Sequence, residues 1–189
     1  MDKLTSHLAL AQTFLFSPGH RPEFFNKALA SASKAIIIDL EDAVPPEQKK
    51  QARAHIQEFW QNCSVDNRKR VLVRINPIDT DFTNEDLAFL NALEGPINVV
   101  VPKVESLEQL NQFAEKVPSL NFIIPIIESA RGIDSVKAIA THPLVLRLLW
   151  EILIRKQILV FAVMKKKQNF CPSSMQLTWL PVLRGLRRP

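Results

Sequence analysis

Short apolar runs punctuate the first two-thirds of the chain: TFLFS (13–17), AIIID (35–39), VLVRI (71–75), NVVVP (98–102) and NFIIPII (121–127). Each is nearly continuous rather than alternating, which predicts strands buried on both faces, as in a parallel sheet. Between them, apolar positions recur at helical spacing. RPEFFNKALASAS (21–33) sets Phe24, Ala28 and Leu29 near one face, with Pro22 suited to a first turn. PPEQKKQARAHIQEFW (45–60) carries Ala52, Ile56, Phe59 and Trp60 on one stripe. TNEDLAFLNALE (83–94) opens on a capping-type Thr or Asn followed by acids. SLEQLNQFAEKV (106–117) opens on Ser106 with Gln109 three residues later, a capping-box pattern. RGIDSVKAIATH (131–142) follows the fifth strand, and LVLRLLW (144–150) is a candidate sixth.

Strict alternation of strand and helix implies parallel strands with right-handed crossovers. Two architectures fit, a (β/α)8 barrel and an open doubly wound sheet. No GxGxxG follows the first strand, which weakens a nucleotide-binding open sheet. Polar residues instead recur where the strands end: Ser17, Asp39 and Glu41, Arg74 and Asn76, Lys103 and Glu105, Glu128 and Ser129. The segment AIIIDLEDAV (35–44) is the sharpest case, a core-like run ending in Asp39, Glu41 and Asp42. In a barrel these ends converge on one rim, where active sites sit.

Charge changes the picture only in the tail. Residues 1–150 carry 16 Lys+Arg against 18 Asp+Glu, whereas 151–189 carry 8 against the single acid Glu151, giving the overall +5. A nucleic-acid reading would rest wholly on that tail, through KKK (165–167) and RGLRR (184–188), and no nucleic-acid partner is expected. The apolar runs are too short to span a bilayer, and the first residues lack the apolar core and cleavage site of a signal peptide. Cytoplasm is the expected compartment. Two cysteines, Cys63 and Cys171, form neither a disulfide framework nor a zinc site, and no histidine pair has metal spacing.

The segments FLFSPGHRPEFFNKAL, IIIDLEDAVPPEQKKQAR, VLVRINP, VPKVES and IIPIIESARGI, in this order over about residues 12–146, resemble the citrate lyase β-subunit group of the HpcH/HpaI aldolase superfamily. The resemblance implies a TIM-type barrel and a Mg²⁺-dependent carbon–carbon lyase. Its substrate class would be a β-hydroxyacyl-CoA thioester of the citryl-, malyl- or citramalyl-CoA type, cleaved to acetyl-CoA and a 2-oxo acid. It also implies roles. Arg74 matches the arginine that binds the substrate's carboxylate or carbonyl oxygen, and Glu128 a metal carboxylate. Glu41 and Asp42 match acids that hold the metal's waters, and Asp39 and Lys103 line the same site. Cleavage leaves an enolate and a new carbonyl, and a hard cation with oxygen ligands suits both. Full-length members assemble as trimers or hexamers. LEDAV with PGHRPE favours the CoA lyases over the related pyruvate aldolases.

The resemblance stops near residue 147. The family's next strand ends in a pattern like FGxxD, whose Asp is a second metal carboxylate. Here the chain reads LWEILIRKQILVF, and no Asp follows Asp134. The loss coincides with the jump in charge. One change of reading frame near 147–151 accounts for both, leaving 1–150 as an incomplete barrel of five to six βα units and 151–189 as a basic tail. ILIRKQILVFAV within that tail reads as a strand or a helix. Such a chain is expected to be impaired or inactive. The alternative is a barrel fragment that binds an acidic partner through its tail. The site residues also have simpler structural uses. Arg74 can serve as a strand-end ion pair, Lys103 as a solvated loop lysine, and the acids at 39–42 as caps for the helix near Pro45.

Overall fold

The computed structural model describes residues 8–154, 158–165 and 178–179, with side chains described for 8–150. Six strands run parallel in chain order: β1 (Phe14–Pro18), β2 (Ala35–Asp39), β3 (Val71–Arg74), β4 (Ile97–Val101), β5 (Leu120–Ile127) and β6 (Arg147–Ile154). The helices between them are α1 (Phe25–Ala30), α2 (Lys49–Asn62), the single turn α3 (Val65–Arg68), α4 (Thr83–Asn91), α5 (Leu107–Lys116) and α6 (Ala130–Ile139). The sheet curls into a half-barrel, the incomplete TIM-type architecture that the family resemblance implies, and not the open doubly wound sheet that the strand–helix alternation also allowed. Each strand pairs with its sequence neighbour, and among the described residues β1 pairs on one side only.

Beyond β6 the sheet changes direction. Strand β7 (Ile158–Lys165) pairs antiparallel with β6, and β8 (Thr178–Trp179) antiparallel with β7. The ambiguous stretch after residue 151 is therefore strand wherever it is described. Only residues 155–157 separate β6 from β7. A parallel return needs a crossover of about a dozen residues, so a connection this short forces a hairpin. The rest of the basic tail lies outside the described residues.

Strand alternation sorts the core into two layers. Ile36, Ile38, Val71, Val73, Val99, Val101, Ile123 and Ile127 pack against helix residues such as Phe25, Ala52, Ile56, Trp60, Leu90, Leu110 and Phe113. Their neighbours Ala35, Ile37, Leu72, Val100, Ile124, Ile126 and Leu149 form the concave layer, with Phe14, Phe16 and Phe122 alongside. Each fully buried aliphatic side chain contributes about 1.5–3 kcal/mol. Leu8 and Ala11, ahead of β1, close the concave layer at the strands' N-terminal ends. There Arg147 Nη1 donates to the Ala11 carbonyl at 2.5 Å and its guanidinium lies over Phe14. Burial pushes this guanidinium's pKa down, and no carboxylate of the described residues offsets it.

Local details differ from the sequence pattern at two helix starts. The first helical segment begins with a 3-10 turn over Pro22–Phe24, so Phe25 rather than Phe24 enters the core and meets Phe59 edge-on. α4 has no side-chain cap, because its N-cap position falls on Phe82 rather than on Thr83, whose Oγ1 accepts the amide of Thr80. Ser106 caps α5 as expected, while Gln109 reaches back to the amide of Glu105. Ser129 caps α6. Two glycines permit close approach. A Cβ on Gly19 would lie 2.7 Å from the Asp39 carbonyl, and one on Gly132 would lie 2.6 Å from the Val104 carbonyl. Gly19 thus seats the PGH loop on the end of β2, and Gly132 seats the first turn of α6 against the chain just beyond β4.

Candidate active site

Continuing the alternation of the concave layer past the strand ends puts Asp39 after Ala35 and Ile37, Arg74 after Leu72, and Glu128 after Ile124 and Ile126. Asp39 and Arg74 are also register partners across β2 and β3. The C-terminal rim therefore gathers these three side chains from three strands.

Arg74 and Asp39 make a bidentate pair. Arg74 Nε donates to Asp39 Oδ1 at 2.7 Å and Nη2 donates to Oδ2 at 2.6 Å. Both side chains are closed from solvent, 7% and 1% exposed. The same carboxylate accepts the backbone N–H of Glu41 at 2.8 Å and of Ala43 at 3.1 Å. Burial works against the guanidinium's charge, but the bonded Asp39, with Glu41 and Asp42 behind it, more than offsets this and raises its pKa. Phe16 lies under it at 5.1 Å from guanidinium carbon to ring centre. Arg74 thus does form a strand-end ion pair. Asp39 occupies the Nε–Nη2 edge, which leaves the Nη1–Nη2 end for another carboxylate.

Glu41 faces that end. Its Oε2 lies 2.9 Å from Arg74 Nη1, yet no N–H is aligned on it, and it stays a buried acceptor without a hydrogen bond. Its Oε1 accepts Lys103 Nζ at 3.0 Å. Burial outweighs both cations and pushes the Glu41 pKa up. The sign of the pH effect follows. Above the ordinary glutamate value, near about 4.3, the folded chain holds a proton that the unfolded chain has lost. Stability therefore falls as pH rises through that window. We expect the advantage in melting temperature of Glu41→Gln over the parent, whatever its size at pH 4, to grow between pH 4 and 7. A flat or shrinking difference would show that the native Glu41 pKa is not raised.

Asp42 sits at the outer side of the cluster, 70% exposed and 3.9 Å from Arg74 Nη1. Lys103 has a φ of +52°, in the left-handed region uncommon for a side-chain-bearing residue. Its backbone N–H donates to Glu128 Oε1 at 2.9 Å while its ammonium reaches Glu41. One lysine thus ties the half-buried Glu128 to the β2 loop. The acids at 39–42 cap no helix: the turn at Pro46–Gln48 and α2 begin without a side-chain cap.

Other strand-end polar residues point elsewhere. Ser17 alternates with Phe16, and its buried hydroxyl takes no partner. Glu105 pairs with Arg131. Asn76 joins a second buried network with Lys49, Arg53 and Asp86, which the sequence pattern did not reveal. Cys63 is buried with its thiol pKa raised, as expected of an inert cysteine.

Among the described residues, no three His, Cys, Asp or Glu side chains group closely enough to hold a metal. Glu128, Glu41 and Asp42 nonetheless offer only oxygen donors, and Glu41 Oε2 is a buried acceptor still lacking a proton donor. That set fits a hard cation such as Mg²⁺, which takes one or two protein carboxylates and keeps several waters. No described helix is long and apolar enough to cross a membrane.

Known proteins resemble this chain in sequence and in fold. The chain is 38% identical over 138 residues to the L-malyl-CoA/beta-methylmalyl-CoA lyase of Cereibacter sphaeroides, covering 67% of this chain and 43% of that protein. It is 35% identical over 133 residues to a (3S)-malyl-CoA thioesterase of the same species, covering 70% and 45%. It therefore spans less than half the length of these relatives. Its fold superposes on the citrate lyase beta subunit of M. tuberculosis, solved with oxaloacetate and magnesium, with a TM-score of 0.65 and 33% identity, over 76% of this chain and 60% of that one. The sequence pattern that defines the HpcH/HpaI aldolase/citrate lyase family matches residues 12–150, and the chain belongs to that family.

Proposed function

We propose that this rim is the binding half of a Mg²⁺-dependent carbon–carbon lyase site for a β-hydroxyacyl-CoA thioester, and that the chain on its own is a weak catalyst. One observation carries the reading: Asp39, Glu41, Arg74, Lys103 and Glu128 come from four strand ends into one connected cluster. The M. tuberculosis relative, solved with magnesium and a 2-oxo acid, and the malyl-CoA lyase support the cation and the substrate class.

Glu128 would hold the ion directly, and Glu41 and Asp42 would orient its waters. When bound, Mg²⁺ supplies Lewis acidity toward the oxygens that gain charge as the carbon–carbon bond breaks. Arg74, fixed by Asp39, presents its Nη1–Nη2 end to a substrate carboxylate as a planar fork. That carboxylate takes the place of Glu41 Oε2, while Glu41 Oε1 stays on Lys103. The weakness is read from β6: Arg147–Ile154 runs RLLWEILI, without the aspartate that the family resemblance leads one to expect at the end of this strand.

Calorimetry with oxaloacetate, followed by incubation with malyl-CoA, tests both parts. Oxaloacetate should bind with Mg²⁺ present and not with EDTA, and binding that ignores Mg²⁺ would overturn the site. Glyoxylate release should be slight, whereas brisk Mg²⁺-dependent release would overturn the impairment. Free CoA appearing with malate instead of glyoxylate would reassign the reaction to thioester hydrolysis.

A further inference from the structure

Lys49 is a charged residue inside the protein, 6% exposed, on the first turn of α2. Its ammonium donates to the Leu40 carbonyl at 2.6 Å, the Glu41 carbonyl at 2.9 Å and Asn76 Oδ1 at 2.6 Å. These are three acceptors for three N–H donors. The ring of Phe82 lies 5.0 Å from Nζ on another side.

The acceptors are themselves held. Asp86 Oδ2 accepts both the backbone N–H and the side-chain amide of Asn76, each at 2.8 Å. Asp86 Oδ1 accepts Arg53 Nε at 2.7 Å, and Arg53 Nη1 bonds Glu85. Lys49 and Arg53 are one turn apart on α2, and Asp86 and Glu85 lie on α4. A continuous polar chain therefore runs from two helices to the ends of β2 and β3. Lys49 touches the backbone of Glu41 itself and a side chain two residues beyond Arg74.

Stability alone does not require this arrangement. A buried ion network is often no more stable than apolar residues of the same volume, and in some proteins what it meets is a demand on geometry. The demand here is specific. Glu41 and Asp42 leave β2 on a turn that no helix cap fixes. From the sheet side that turn is held by the Asp39 carboxylate, through the amides of Glu41 and Ala43. From the helix side it is held by Lys49.

We propose that Lys49 is a positioning residue that fixes the Leu40–Asp42 turn, and with it the rim carboxylates of Glu41 and Asp42, for a bound cation. This inference rests on the cation-site reading above. The role differs from that of Glu41 or Arg74, since Lys49 reaches the site only through backbone carbonyls and Asn76.

The test uses the full chain with Mn²⁺ as the probe, its free concentration followed by electron paramagnetic resonance, together with amide hydrogen exchange. Lys49→Met should weaken Mn²⁺ binding by about 10–100-fold, the range for losing an outer partner of a metal site. It should also speed exchange at residues 40–44 while leaving α5 and β5 at the parent rate. A folded Lys49→Met with parent-like affinity overturns the role, as does exchange that quickens throughout the chain, which marks a merely structural lysine. Should Lys49→Met not fold, Asn76→Ala removes one of the three acceptors. It should move both readouts in the same direction by less, and unchanged affinity there overturns the role equally. Glu128→Gln separates the two failures. Weakened binding in it beside parent-like binding in Lys49→Met removes the Lys49 role alone. Parent-like binding in Glu128→Gln removes the cation site and the positioning role together.

Discussion

Arg74→Met should destabilise the chain by about 3–5 kcal/mol, read as a lower urea midpoint. Removing one member of a buried pair leaves the other charge uncompensated, and that is the range such losses span. Asp39 is all but fully buried, and without Arg74 it keeps only the amides of Glu41 and Ala43. Glu41 loses its facing cation as well. The double variant Arg74→Met/Asp39→Asn should recover part of the loss, because it removes the uncompensated buried charge while the asparagine oxygen can still accept an amide of the turn that Asp39 holds. A double variant as unstable as the single one would mean that Arg74 supports the rim by packing on Phe16 rather than by pairing with Asp39. Both variants should lose oxaloacetate binding, since neither retains the fork.

Glu128→Gln should remove Mg²⁺ binding more completely than any outer-partner variant, beyond the roughly 10–100-fold those cost. The substitution is a clean probe here. Glu128 uses Oε1 to accept the Lys103 amide, and a glutamine oxygen can accept it too. The left-handed turn at Lys103 should survive, so thermal stability should stay near that of the parent while cation affinity collapses. Titration of Mg²⁺ by calorimetry beside a melting curve checks this. Equal loss of stability and affinity would mean that Glu128 serves the fold and not the ion.

The strands were readable because buried parallel strands are written as unbroken apolar runs, and AIIID and INVVV are buried at every position. Ser106 and Ser129 cap as their local sequence dictates. The rim acids were readable as a group, since a buried strand that runs into carboxylates sets them together at one end of the sheet. Their pairing was not. That Asp39 is consumed by Arg74 depends on a contact 35 residues away. The Lys49–Asn76–Asp86–Arg53 network was hidden for the same reason. Lys49 and Arg53 sit in a helix rich in Lys, Arg and Gln, where charge ordinarily means solvent, and their partners lie 27 and 33 residues on. The switch from parallel to antiparallel after β6 depended on a connection length that an unassigned tail could not supply.

The bond from Arg147 to the Ala11 carbonyl joins positions 136 residues apart. Every other step of this sheet joins sequence neighbours, so β1 to β5 can assemble progressively as the chain lengthens. The stretch around Leu8 and Ala11 cannot receive its last partner until β6 has been made. Contacts of such high sequence separation form late, after the cost of closing the intervening chain has been met. On a ribosome, the floor of the half-barrel therefore stays unsealed through synthesis of nearly all the family-matched region. Its apolar lining is open to chaperones or to other nascent chains for that whole interval.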